Sequence, residues 1–257
     1  MDTTILPSES GSMPRTRTPP PSLARWVDAF WFGESDGSTF DVLPDGCMDF
    51  VFIEGRRPVL VGTMTCAEAV RLSAGTRSFG VRFRPGAAAL FADVSPAELV
   101  DARAPLDAVV SPAFVRRVRD ASSDAERVRQ TLALVLDGAA RVRRAEPRVE
   151  RACALLDASH GGRRIVEVAR EVGIGTRQLE RLFVERLGIG PKRYARIARM
   201  QHAERLRRAG TLRGAEIAAR AGYADEAHLC RELRALCGAA PAELDVAFVQ
   251  PPAALPR

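Results

Sequence analysis

The fold of this chain is decided in residues 165–183, which read IVEVAREVGIGTRQLERLF. Apolar residues recur at helical spacing on both sides of Gly173, a residue suited to the positive φ angle of a sharp turn. A short helix, a turn and a second helix with an exposed basic face indicate a helix-turn-helix. Residues 215–233, AEIAARAGYADEAHLCREL, repeat the pattern around Gly222. Two such motifs in tandem predict a protein that binds two successive major grooves of DNA.

Helical spacing also predicts the elements around the motifs. Expected helices cover about 149–158, 164–172, 176–187, 192–209 and 225–237, and a further helix holds Ile217 and Ala218. The helix at 192–209 has 18 residues and therefore spans about 27 Å at ~1.5 Å per residue. A rigid connector of this length is able to hold two motifs near the ~34 Å of one DNA turn.

Charge is divided unequally along the chain. Residues 148–257 contain 20 basic and 13 acidic residues, whereas residues 1–147 contain 18 and 19. The positive field therefore belongs to the helical part, as expected of a module that binds a polyanion.

The candidate DNA-contacting side chains lie near the start of each second helix, the end that a recognition helix presents to base edges. Arg181 and Arg231 occupy the same position in their repeats, two residues after a buried leucine, where a guanidinium pairs with guanine or with phosphate. The alternative for each is a salt bridge to a helical neighbour. The predicted set there is Thr176, Arg177, Gln178, Glu180, Arg181, Glu226, Ala227, His228 and Arg231, and Lys192 and Arg193 at the start of the expected helix 192–209 are added to it.

Residues 148–244 resemble the DNA-binding domain of the AraC/XylS family of bacterial transcription regulators. The resemblance rests on Ile165, Val168 and Ala169, the turn glycine, TRQLERLF at 176–183, Gly190, Pro191 and Tyr194, Arg196, Arg199, Ala203 and Leu206, Ile217 and Ala218, Gly222 and Tyr223, and Gly238 and Pro241. It implies seven helices, two motifs joined by a linker helix, asymmetric DNA sites, and RNA polymerase as a partner.

The chain departs from the family pattern in both motifs. Gly175 stands where the family usually has a serine N-cap, and Leu233 replaces a phenylalanine. Ala227 and Cys230 are poor hydrogen-bonding side chains on the second reading face. The second motif is therefore expected to contribute mostly backbone and shape contacts, with Arg231 its main donor.

The front half shows a different pattern of short apolar runs and turns. Strands are expected at 40–43, 48–53, 58–61, 69–72 and 79–83, followed by helical segments near 87–92, 96–100, 112–118 and 125–136. The predicted fold class is α+β, with a β-rich domain ahead of an all-α domain. LPDGC at 43–47, VGTMT at 61–65 and GVRFRPGAA at 80–88 resemble an uncharacterised, cupin-like N-terminal domain found in some of the same regulators.

A small-molecule site is predicted in the front half at Arg82, Arg84 and Cys47. The two arginines alternate on one strand, so they are expected to face one side and to suit an anionic ligand. The alternative is that they form structural ion pairs with Asp45, Asp49 or Asp93. Cys47 and Cys66 are candidates for a thiol sensor or an alkyl acceptor, although inert packing is the simpler reading.

Several classes of function are disfavoured. All three histidines (His160, His202, His228) lie in the helical half, so the front half lacks the ligand set of a metal-dependent cupin or of a histidine-based catalytic group. No enzyme activity, metal or cofactor is expected. Five cysteines without a C-x-x-C spacing indicate reduced thiols, and no signal peptide or membrane span is seen, so a bacterial cytoplasmic location is expected.

The predicted organisation is a disordered tail at 1–21, a sensor or dimerisation domain at 22–140, a DNA-binding domain at 147–244 and a tail at 245–257. The helix at 125–136 is either a dimer face or a linker helix packed on its own chain. The predicted function is a sequence-specific regulator controlled by a small ligand or by homodimerisation. The alternatives are a cysteine-dependent alkylation or thiol sensor, and a non-specific architectural DNA binder.

Overall fold

The structure, a computed structural model, describes residues 14–141 and 146–238. Its front half contains the strands β1 (Arg15–Arg17), β2 (Val27–Glu34), β3 (Thr39–Val42), β4 (Asp49–Ile53), β5 (Val59–Val61), β6 (Glu68–Arg71), β7 (Arg77–Phe83) and β8 (Arg103–Pro105). Six strands form one sheet in the order β1-β2-β7-β4-β5-β8, and β3 pairs with β6 in a second, two-stranded sheet. All of these pairings are antiparallel.

The front half is held together by an aromatic core on the larger sheet. The ring of Phe79 lies 6.2 Å from that of Phe30, 5.2 Å from that of Phe32 and 5.7 Å from that of Phe52, measured between centroids. Such aromatic pairs contribute about 0.5–1.5 kcal/mol each beyond the area that they bury. All four rings come from β2, β4 and β7, which lie side by side in the sheet.

Helices occupy the rest of the described chain. Two single 3-10 turns, Ala88–Leu90 and Pro96–Leu99, precede α1 (Leu106–Val109), α2 (Pro112–Arg119) and α3 (Asp124–Arg141). The helical half contains α4 (Pro147–Ala158), α5 (Ile165–Glu171), α6 (Thr176–Leu187), α7 (Pro191–Arg208), α8 (Gly214–Arg220) and α9 (Glu226–Cys237). The expected α+β architecture, a β-rich front half followed by a helical half, is therefore confirmed.

Three strands were missed by the sequence analysis. β2 is buried along most of its length, so its run of apolar residues lacks the polar-apolar alternation that marks a strand. β1 corrects the predicted tail at 1–21, because Arg15–Arg17 pair with Phe30–Phe32 at the sheet edge. β8 has only three residues and carries no period of its own. Three predicted regions lie outside the described residues. They are residues 1–13 of that tail, the end of the predicted DNA-binding domain from residue 239 onward, which includes Pro241, and the predicted tail at 245–257.

α3 packs on its own chain. Val128 and Val135 are buried in the front-half core, and Leu132 is partly buried against it. Leu136 is exposed. Of the two interpretations of this helix, the intrachain one accounts for Val128, Leu132 and Val135.

No helix in the described ranges is long and apolar enough to cross a membrane.

Two histidines connect α4 to α7 through their rings. His160, just beyond α4, stacks on His202 of α7 with ring centroids 3.7 Å apart and an angle of 9° between the planes. Desolvation, followed by the charges of His160 and Arg205, lowers the pKa of His202 to about 4. The folded protein therefore favours the neutral ring, whereas an unfolded histidine titrates near 6.5.

We predict that this stack makes the protein less stable in mild acid. The pKa of His202 is lower in the folded protein than in the unfolded chain. The contribution of its neutral ring to the free energy of unfolding is therefore complete above about pH 6.5 and is lost as the pH falls toward 4. Urea unfolding at pH 7.5 and at pH 5 should show a loss of stability in the wild type that is smaller in His202→Gln. Equal losses in the two proteins would refute a role for His202.

Candidate nucleic-acid interface

The first recognition helix is α6, and its predicted start and end are those observed. Leu179, Leu182 and Phe183 are buried on one side. On the other side Arg177 and Arg181 are exposed, and neither has an ion pair or side-chain hydrogen bond with any residue of 14–141 or 146–238. A guanidinium without an internal partner is available for phosphate or base edges. The geometry thus leaves both side chains unoccupied at the end of the helix that a motif of this type presents to DNA.

The turns before the recognition helices have the same backbone geometry. Gly173 and Gly222 both have φ +75°, a left-handed conformation in which a side chain is strained. The caps differ, however. Gly175 offers α6 no side-chain cap, whereas the carboxylate of Asp225 accepts a 2.6 Å hydrogen bond from the His228 amide at the start of α9. The second motif therefore has the better capped recognition helix.

The second recognition helix, α9, exposes Glu226, Ala227 and Arg231. Arg231, like Arg181, has no ion pair with any other residue in the described part of the chain. His228 is half-buried, its Nδ1 accepts a hydrogen bond from the Ala224 amide at 3.4 Å, and its ring meets that of Tyr223 edge-on. His228 thus supports the turn, a role that its sequence position did not reveal.

Two predicted contact residues, Glu180 and Glu226, lie against glycines. A Cβ atom on Gly190 would lie 2.1 Å from Oε1 of Glu180, and one on Gly214 would lie 2.2 Å from Oε1 of Glu226. Each glutamate of a recognition helix therefore occupies the space over the first turn of another helix, α7 in one case and α8 in the other. An acidic group there is favourable to the helix dipole. Both contacts position helices, whatever contacts the glutamates make with DNA.

The linker helix α7 begins with exposed basic residues, Lys192 and Arg193, next to Pro191 at its first position. Tyr194, which follows them, is buried, and its hydroxyl donates to the carboxylate of Asp157 at 3.0 Å. The exposed pair is therefore anchored to the first motif by the residue beside it. Thr176 and Gln178, the remaining predicted contacts, lie in the first turn of α6, Thr176 exposed and Gln178 half-exposed.

Two arginines of α7 tie the motifs together, and the sequence analysis assigned neither a role. Arg196 forms a two-pronged ion pair with Glu232 of α9, both hydrogen bonds being 2.9 Å long. Arg199 donates to the Gly161 carbonyl at 2.9 Å and lies over the ring of Tyr223, with its Cζ 5.7 Å from the centroid. Both arginines were visible in the family pattern, but their partners lie more than 20 residues away. Their role therefore needed the structure.

The predicted ligand-binding residues of the front half do not form one open site. Arg82 is 4% exposed and lies between Asp45, at 3.3 Å, and Asp49, at 3.1 Å. The indole of Trp31 also donates to Asp49, at 3.2 Å. Burial raises the pKa of Asp49, and the charge of Arg82 opposes that shift. These contacts match the ion-pair alternative for Arg82.

Arg84 lies one residue beyond the end of β7 and is exposed, whereas Arg82 is buried within the strand. Its Nε donates to the Ala24 carbonyl at 2.7 Å. Cys47 lies close to Asp45 and Asp49, and desolvation, reinforced by the charge of Asp45, raises the pKa of its thiol well above the usual value. A raised pKa disfavours the reactive thiolate. Cys66, by contrast, is exposed.

Within 14–141 and 146–238, no three histidine, cysteine or acidic residues are grouped so as to hold a metal ion.

Family models match both halves of the chain. Residues 168–245 match a family described as a helix-turn-helix domain, and residues 15–105 match one described as a domain of unknown function, DUF6597. No curated protein matches the chain. Among solved structures, the chain is similar to an apo ToxT variant from Vibrio cholerae strain SCE256, with 12% identity, a TM-score of 0.47 and coverage of 88% of this chain and 98% of that one. A second ToxT crystal structure from Vibrio cholerae gives 10% identity, a TM-score of 0.45 and coverage of 83% and 95%.

The helix-turn-helix match spans both recognition helices and the linker helix, which are the elements that carry the AraC-type sequence pattern. The chain therefore carries an AraC-type helix-turn-helix domain in its helical half and a DUF6597 domain in its front half.

Proposed function

We propose that this regulator reads an asymmetric DNA site in two adjacent major grooves, with α6 in one groove and α9 in the other. The observation that supports the proposal most directly is the equivalence of Arg181 and Arg231. Both are exposed and lie two residues after a fully buried leucine. Both also lack an internal ion pair among the described residues. A long, charged side chain costs about 2 kcal/mol of rotamer entropy to immobilise, and a partner on DNA offsets that cost.

Base recognition is assigned mainly to the first motif. Arg177, Gln178 and Arg181 offer hydrogen-bond donors near the start of α6, and Gln178 is also an acceptor. On α9 the exposed Ala227 has no hydrogen-bonding side chain, and Arg231 is the main donor. Because each good two-pronged contact to a base contributes about 1–3 kcal/mol of discrimination, the α6 half of the site should be the more strictly defined one.

Phosphate contacts are assigned to the N-terminal turn of α7. Lys192 and Arg193 are exposed there, and the helix N-terminus adds its own favourable field for an anion. We assign the same role to Thr176 at the start of α6, whose exposed hydroxyl is a hydrogen-bond donor. These contacts fix the register of the protein on DNA but carry no sequence information.

Control by the front half is the second element of the proposal. A small ligand or a second copy of the chain would act through the packing between the halves. Leu43 of the front half is buried in the core of the second motif, and Val100 packs against that of the first. An ion pair between Arg25 and Glu150, 3.8 Å long, adds to these contacts. A change in the front half therefore has a physical route to both motifs.

A thiol or alkylation sensor remains the second candidate, and one observation favours Cys66 over Cys47 for that role. Cys66 is exposed, whereas burial raises the pKa of Cys47. Treatment of the intact protein with a methylating agent, followed by peptide mass spectrometry, tests the idea. Absence of a stoichiometric adduct on Cys66 or Cys47 would remove it.

We predict that Arg181→Ala loses discrimination at one defined base pair of the selected DNA site. Affinity for the preferred site should fall about 5- to 150-fold, the range expected for one specific base contact, while affinity for random DNA changes little. Binding titrations against the site and its single-base variants at fixed salt provide the measurement. Arg234→Ala, which removes an exposed arginine from the last turn of the other recognition helix, is the control. A uniform loss on every sequence would make Arg181 a phosphate contact.

We also predict that the double variant Lys192→Ala, Arg193→Ala weakens binding to all sequences and lowers its salt dependence. Each phosphate contact contributes about 0.9 to the slope of log affinity against log salt, so the slope should fall by about 2. The base preferences selected from a random library should stay those of the wild type. An unchanged slope would show that these residues do not contact DNA. A wild-type protein that shows strong salt dependence but selects no motif would be an architectural binder instead.

A further inference from the structure

The front half reaches the ends of both recognition helices through one short loop, the residues 62–67 between β5 and β6. At one end of the loop Thr63, which is fully buried, donates its hydroxyl to the Leu187 carbonyl in the last turn of α6, at 2.7 Å. At the other end the amide of Ala67 donates to the Leu236 carbonyl in the last turn of α9, also at 2.7 Å. The same loop thus donates a hydrogen bond to each of the two recognition helices, α6 and α9.

These hydrogen bonds fall where a helix needs them. The last four carbonyls of an α-helix have no partner within the helix, and a buried carbonyl without a partner is costly. α6 and α9 both end in a left-handed glycine, Gly188 and Gly238, whose amides bond to carbonyls one turn back. Leu187 and Leu236 are left for the loop. The front half therefore supplies one hydrogen-bond donor to the C-terminal end of each recognition helix.

The loop is itself held rigidly. The amide and the hydroxyl of Thr65, midway between the two donors, both bond to the carboxylate of Asp101. Asp101 has φ +54°, a backbone conformation that a non-glycine residue adopts at a cost and keeps only where its surroundings hold it. At Gly62, a Cβ atom would lie 1.8 Å from the Leu99 carbonyl oxygen, so the loop starts pressed against the neighbouring turn. Because the loop is held by contacts at its start and in its middle, it connects the two helix ends over a fixed length.

The length of loop 62–67 limits the distance between the C-terminal ends of α6 and α9. Four residue steps separate Thr63 from Ala67, and four extended residues span at most about 14 Å. The C-terminal ends of the two recognition helices are thereby held at a short, defined separation, in addition to the tie that α7 makes through Arg196 and Glu232. The donors act at the ends opposite the exposed Arg177 and Arg181 and leave the reading faces open.

We infer that loop 62–67 is a spacing clamp: it fixes the separation and angle of α6 and α9, and so determines which spacing of the two half-sites this regulator accepts. The inference rests on the proposed reading of two grooves. Thr63 is a positioning residue in this scheme, since it acts through Leu187 and not on DNA. The front half then contributes to DNA specificity without touching a base.

The test measures spacing preference with the full-length chain. The selected site is rebuilt with one or two base pairs inserted into or removed from the segment between its halves, and affinities are compared at fixed salt. Thr63→Val, which keeps the shape and removes the donor, should reduce the preference for the native spacing about fivefold, the effect of one neutral hydrogen bond. Base preferences within each half should not change. Thr63→Ser restores the hydroxyl and should restore the preference, and Thr39→Val, at an exposed threonine of the same half, is the matched control.

A second variant covers the case in which Thr63→Val fails to fold. Two glycines inserted between Cys66 and Ala67 keep both donors but lengthen the connection, and the same relaxed preference is expected. If the folded Thr63→Val variant or the insertion variant keeps the spacing preference of the wild type, the clamp is overturned. A wild-type protein whose selected site has only one half would overturn the reading of two grooves, and the clamp with it, before any variant is compared.

Discussion

Neither helix-turn-helix motif closes its core without α7, and this shared helix is the constraint on which the DNA-binding half depends. Tyr194, Ala195 and Ile197 from its first half are buried in the core of the first motif. Met200 and Ala203 from its second half are buried in that of the second. Small helical units bury too little apolar surface to be stable alone, so a helix that belongs to both cores couples their folding. The two recognition helices are consequently parts of one packed unit.

Polar contacts of α7 fix the orientation of the helices that its apolar contacts bring together. Hydrophobic contact fixes that α7 and α9 are adjacent but leaves their rotation loosely defined. The two parallel hydrogen bonds between Arg196 and Glu232 constrain that rotation, because the planar groups match only in a narrow range of orientations. Arg199 does the same between the Gly161 carbonyl and the Tyr223 ring.

The helical half was predictable from sequence to a degree that the front half was not. Helical spacing gave the bounds of α6, and turn chemistry identified Gly173 and Gly222, because both signals are local. β2 was missed since a strand buried on both faces loses its alternation, and β1 was missed since three residues carry no period. Arg82 illustrates a different limit. Its position on a strand was predicted, and ion pairs with Asp45, Asp49 or Asp93 were the alternative to a ligand site, but only the structure decides between the two and selects Asp45 and Asp49 as the partners. The DNA-contacting roles of the exposed arginines remain predictions.

The contacts between the halves could not have been inferred from residue types at all. Thr63 and Ala67 act there through a hydroxyl and a backbone amide, groups that occur throughout any sequence, and nothing local marks these two as partners of helix ends. A further contact of this kind is the hydrogen bond from the Gln201 side chain of α7 to the Pro44 carbonyl. The backbone groups in these contacts constrain geometry and do not engage the exposed side chains of α6 and α9. A change of geometry in the front half therefore has a route to the ends of α6 and α9 that leaves the chemistry of their exposed side chains unchanged.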